Sequence, residues 1–91
     1  MTTIRIRNTE DAVATIAALA AKVIAAGGHA GHDLETVGAH MTADRSLDAI
    51  RRSFTRNLGK GMDVKGAVIA TGQAVIAGYC NSANIPTRQD G

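Results

Sequence analysis

The chain has 91 residues, 45% of them hydrophobic, with 10 Lys and Arg against 8 Asp and Glu and a formal net charge of +2. That length allows one small domain with a thin core, and that charge is too small for a whole-chain nucleic-acid footprint. One Phe, one Tyr and no Trp leave Ala, Val and Ile to fill the interior, and a single cysteine excludes an intramolecular disulfide framework.

The N-terminal Ile4-Arg5-Ile6-Arg7 alternates apolar and basic residues, the pattern of an extended segment. No apolar stretch stands directly behind a basic one, so a cleaved leader is not expected. Asn8 is a good helix N-cap, and Glu10 and Asp11 put negative charge in the first turn, where the helix dipole favours it. Every residue from there to Ala26 tolerates a helix. Val13, Ile16, Ala20, Val23 and Gly27 share one stripe, flanked by Leu19 and Ile24, and Ala17, Ala21 and Ala25 form a second line. Only Thr15 and Lys22 interrupt this apolar character, so the helix should be covered on most sides. Gly27-Gly28 ends it.

Residues 28–41 read as a loop holding one short helical turn, started by Asp33 or His32. His29, His32 and His40 fall here beside Asp33 and Glu35, the raw material of a zinc or copper site or of a pH switch. His29 and His32 are separated only by a flexible Ala-Gly, and no further His or Cys recurs at ligand spacing. Solvated loop histidines are the preferred reading, and no metal or cofactor is expected.

Thr42 is the expected N-cap of the next helix. Leu47, Ile50, Phe54 and Leu58 follow at three- and four-residue steps, opposite Arg45, Asp48, Arg52, Arg56 and Lys60. Asp48 and Arg52 have the spacing of a helical ion pair. Arg51, Arg52, Arg56, Lys60 and Lys65 make a basic side that could follow a phosphate backbone. Asp44, Asp48 and Asp63 dilute it and no aromatic residue is interleaved, so a solvated face is preferred. Gly59-Lys60-Gly61 lacks the preceding strand and following Ser or Thr of a phosphate loop. It should be a hinge, where the helix kinks or breaks before resuming at Met62 or Asp63.

Beyond the hinge, Gly66, Ala70, Ala74 and Gly78 form a nearly straight helical ridge with no side chain larger than a methyl. Each helical glycine costs about 1 kcal/mol relative to Ala, so something must press against the ridge to offset that. The N-terminal Ala-rich helix is the nearest candidate, and a second polypeptide is the equal alternative. A ridge open to water with no neighbour would contradict this expectation. Cys80, beside Tyr79 and with no nearby His in sequence, reads as a packed thiol. Asn81, Asn84 and Pro86 stop the helix.

The expected architecture is all-α: an antiparallel helical hairpin over residues 1–83, its second helix split near residues 59–61, with 84–91 as a disordered tail. Such a hairpin exposes much of its apolar surface, and a partner chain would complete a four-helix bundle. The expected contact residues are Val13, Ile16, Ala20, Val23, Leu47, Ile50, Phe54, Leu58, Gly66, Ala70, Ala74 and Gly78. The longest apolar run is shorter than the roughly 20 residues a membrane-spanning helix needs. No nucleophile, base and oxyanion site assemble, so no enzyme is expected.

In residues 53–83 an amphipathic segment bearing Phe54 and Leu58 leads through Gly59-Lys60 into an Ala/Gly/Thr-rich helix ending at Tyr79. This layout resembles the WXG-type superfamily of small helical-hairpin proteins of type VII secretion. The resemblance implies a helical partner, in a heterodimer or homodimer or on a larger toxin-like cargo, and no catalytic activity. It further implies a protein that is cytoplasmic before export and secreted without a cleaved signal peptide. Two features depart from the family. Val37-Gly38 stands where a Trp-x-Gly turn belongs, and Tyr79 of the export-signal pattern is followed four residues later by Ala83 rather than an acid. The chain would then be the silent half of a heterodimer or an adaptor. Competing readings are a nucleic-acid-associated regulatory module using residues 51–65 and a structural homo-oligomer subunit.

Overall fold

The computed structural model describes residues 8–83, which form four helices: α1 (Thr9–Ala26), α2 (Leu34–Met41), α3 (Asp44–Gly59) and α4 (Val64–Ser82). The expected extended segment at residues 2–7 and the expected tail at 84–91 lie outside the described residues. Three of the helices start on a short polar side chain that accepts from an otherwise orphaned backbone N–H. Asn8 Oδ1 accepts from Asp11 at 2.9 Å, Asp33 Oδ1 from Thr36 at 2.8 Å and Asp63 Oδ1 from Gly66 at 2.8 Å.

The start of α3 differs from the expectation. Its N-cap is Ala43, which offers no side-chain bond. Thr42 instead closes α2, its hydroxyl donating to the Gly38 carbonyl at 2.9 Å. The segment expected to hold a single turn is a helix of 8 residues that buries Val37 and Met41. Once that helix exists, its final carbonyls take the threonine hydroxyl.

The hinge is a full break. Gly59 ends α3, Lys60 caps it, and Gly61 takes φ +96°, a left-handed conformation that side-chain-bearing residues rarely adopt. A continuous helix over residues 44–82 would run roughly 58 Å. The molecule measures only 35 × 31 × 30 Å, because the turn at Gly61 sends α4 back across α3 and α1. The two-helix hairpin is therefore replaced by a compact four-helix arrangement within one chain.

Helix α1 is the hub and touches all three others. It buries Ala12, Val13, Ile16, Ala17, Ala20, Ala21 and Ile24, and its alanines let the neighbouring helices come close. Ile50 and Phe54 of α3, Val37 and Met41 of α2, and Ala67, Thr71 and Cys80 of α4 complete the interior. Thr71 is a fully buried polar side chain, and the Asn57 amide donates to its hydroxyl oxygen at 3.0 Å. A buried hydroxyl left without a partner would be costly, so this bond fixes how α3 and α4 meet. No described helix is long and apolar enough to cross a membrane.

Candidate partner-docking groove

Of the residues expected to touch a partner, Val13, Ile16, Ala20, Ile50 and Phe54 are buried in the chain's own core, with Leu47 and Leu58 packed half-buried against it. They hold the domain together and are not a surface. The hairpin expectation misplaced them because it gave α1 too few neighbours within its own chain. Val23 alone of the α1 set is open, 56% exposed, with Leu19 beside it at 40%.

The small-residue ridge is the second correction. Gly66 and Ala70 are half-buried, whereas Ala74 and Gly78 are exposed. A Cβ built on Gly78 would meet nothing within 4 Å, and one on Gly66 would meet chiefly its own cap, Asp63. No described helix presses on the ridge at Gly66 or Gly78. The side of α4 that faces the core carries Ala67 and Thr71, both 0% exposed, with Val68, Val75 and Ile76 packed beside them. Those branched residues bury more apolar area than Gly and Ala can, so they face the core, while Ala74 and Gly78, which continue the line of Ala67 and Thr71 along the helix, lie beyond the part that the described helices cover.

The outward side of α4 carries Ile69, 52% exposed, and Ala77, with the polar Gln73 between them. A shallow trough flanks it on each side. Toward α1, Leu19, Val23, Ile69 and Gly72 border an almost wholly apolar cleft of about 160 Å³. Toward α3, a larger groove of about 400 Å³ runs between two small-residue lines. Ser46, Ala49 and Ser53 of α3 form one wall, Ala74, Gly78 and Ser82 of α4 form the other, and Met41, Ile50 and Val75 lie between them. Both lines step by three or four residues, so each is a single face of its helix.

His40 and Tyr79 close one end of this groove. Tyr79 is half-buried and stands edge-on to two imidazoles, His32 at 5.6 Å and His40 at 5.1 Å between ring centroids. Its hydroxyl lies 2.8 Å from His32 Nδ1. The tyrosine expected to resemble an export signal thus ties α4 to the segment around α2. His29 rests on Gly27 instead, where an added Cβ would meet its Nε2 at 2.6 Å. Among the described residues no group of three His, Cys, Asp or Glu side chains could hold a metal.

The expected pair between Asp48 and Arg52 does not form. Asp48 binds Arg51 at 2.8 Å, and the same guanidinium makes two 2.9 Å hydrogen bonds to Glu10 of α1. Arg51 thereby leaves the basic surface and becomes a bridge between helices. The hydrogen bonds from Arg51 hold the Glu10 carboxyl below its ordinary value, and Glu10 in turn raises Arg51. Arg45, Arg52 and Arg56 remain exposed, with no ion pair among the described residues.

The wall of Ser46, Ala49 and Ser53 and the clasp at Tyr79 were not expected from sequence. The serine and alanine positions do recur at helical spacing, but only the facing helix shows that they border a groove. Comparison with protein-family models, curated proteins and solved structures returns no match.

Proposed function

We propose that this chain is a non-enzymatic helical adaptor that works by pairing with a helix of another polypeptide, and that the pairing serves a type VII secretion system. The observation supporting the pairing is the open side of α4 bordering the groove toward α3, where Ala74, Ala77 and Gly78 are exposed. Contiguous exposed apolar surface of this kind marks a contact site, and small residues at four-step spacing suit the close approach of another helix. The secretion context rests on the layout of residues 53–83 alone. The compact four-helix arrangement departs from the elongated hairpin that the resemblance implied, so the partner must lie against the outside of a finished domain.

Two measurements separate the halves of the proposal. A tagged chain should reach the culture medium of a host carrying a type VII secretion ATPase and should stay inside when that ATPase is deleted. Equal export in both hosts removes the secretion context. Ala74→Leu should lower the fraction of the chain recovered in a larger complex at least tenfold, while Thr55→Ala on the far side of α3 leaves it unchanged. Undiminished complex in Ala74→Leu removes the pairing.

A further inference from the structure

The groove between α3 and α4 has a polarity that the docking reading does not itself require. We infer, resting on that reading, that its occupant is an acidic amphipathic helix of a different polypeptide, lying along α3 with its carboxylates toward Arg45, Arg52 and Arg56.

Shape and charge point the same way. Ser46 to Ser53 and Ala74 to Ser82 each rise roughly 10–12 Å, which is two turns of helix. A trough of that length, walled by small residues and floored by Met41, Ile50 and Val75, accepts larger side chains spaced three, four and seven residues apart, as in helix-in-groove recognition. Arg45, Arg52 and Arg56 follow one another at steps of seven and four residues, about a quarter-turn from the Ser46, Ala49 and Ser53 line. They therefore run along the outer rim of the trough, on the side away from Ile50 and Phe54. All three are exposed and make no ion pair among the described residues, since Asp48 and Glu10 are both committed to Arg51. The opposing rim on α4, with Ala70, Ala77 and Asn81, carries no charge.

The described helices of a second copy do not supply the complement. Their acids are Glu10 with Asp11, Glu35, and Asp44 with Asp48 one turn apart; Glu10 and Asp48 are held by Arg51, and none forms a stripe over two turns. A phosphate backbone would meet the arginines but leave the apolar trough empty.

The test uses synthetic amphipathic helices of roughly 18 residues with a leucine face. Three versions carry Glu, Gln or Lys along one flank, and backbone amide shifts of the full chain are read at low salt. The Glu peptide should shift Ser53, Ala74 and Gly78 and bind roughly tenfold more tightly than the Gln peptide, as three exposed ion pairs would give. The triple variant Arg45→Glu, Arg52→Glu, Arg56→Glu, altered only at exposed positions, should prefer the Lys peptide. Equal affinity for the Glu and Gln peptides overturns the acidic partner and leaves the docking reading standing. Failure of all three peptides to shift Ala74 and Gly78 overturns both. Salt-sensitive binding of random duplex DNA, lost in the triple variant and exceeding that of the Glu peptide, would also overturn the inference by assigning the arginines to phosphate.

Discussion

Arg51 shows how little of a surface charge pattern can be assigned from one dimension. In sequence it belongs with Arg52 and Arg56. In space its guanidinium spans Glu10 on α1 and Asp48 one turn back on α3. The spacing rule for helical pairs allows Asp48 either partner, and only the carboxylate arriving from α1 decides between them. The consequence depends on pH. Glu10 titrates below its ordinary value of 4.5 when folded, so its contribution to stability is present above that value and is lost as pH falls through the lowered one. Glu10→Gln should therefore melt at a lower temperature than the parent at neutral pH, and the gap should close in acid. A gap unchanged between neutral pH and pH below the carboxylate range would show that the pair contributes nothing through its charge. The ion pair is exposed, so the neutral-pH gap should be small.

At the scale of the element, legibility followed contrast. Helix α3 was readable from sequence because apolar and charged residues divide it into two faces. Helix α2 was reduced to a turn because 8 residues containing Gly38 and His40 have little intrinsic helicity. Its stability comes from burying Val37 and Met41, which no local pattern reports. Helix α4 was readable as a helix but not in which of its positions are covered. Apolar residues surround it on nearly every side, so no polar stripe indicated that one line of it, Ala67, Thr71, Ala74 and Gly78, is buried in its first half and open in its second. That placement predicts opposite outcomes for similar substitutions. Ala67→Leu forces extra volume into a site with no exposure and should cost about 1–3 kcal/mol in denaturant unfolding. Gly72→Ala adds a methyl where nothing lies within 4 Å and should gain up to about 1 kcal/mol from helix propensity. A neutral Ala67→Leu together with a costly Gly72→Ala would contradict the burial of Ala67 and the open space at Gly72.

For the whole molecule, the sequence expectation of an all-helical chain holds, while the path of the chain does not follow it. The break after Gly59 was legible in two glycines flanking a lysine. The direction that α4 takes after Gly61 depends on which side chains interlock across four helices, and a single chain carries no local sign of that. The long apolar residues expected to serve a partner serve the core instead, because a small domain with one Phe, one Tyr and no Trp has nothing else to bury. The surface that the core left over carries Ala74, Ala77 and Gly78 on α4 and, toward α1, the larger Leu19, Val23 and Ile69. The direct measurement is photo-crosslinking in the native host, with a photoreactive residue placed at Ala74 or at Thr55. A discrete adduct to one other polypeptide from position 74, with none from position 55, is the outcome predicted for a docking face on α4. No adduct from position 74, or the same adducts from both positions, would contradict it.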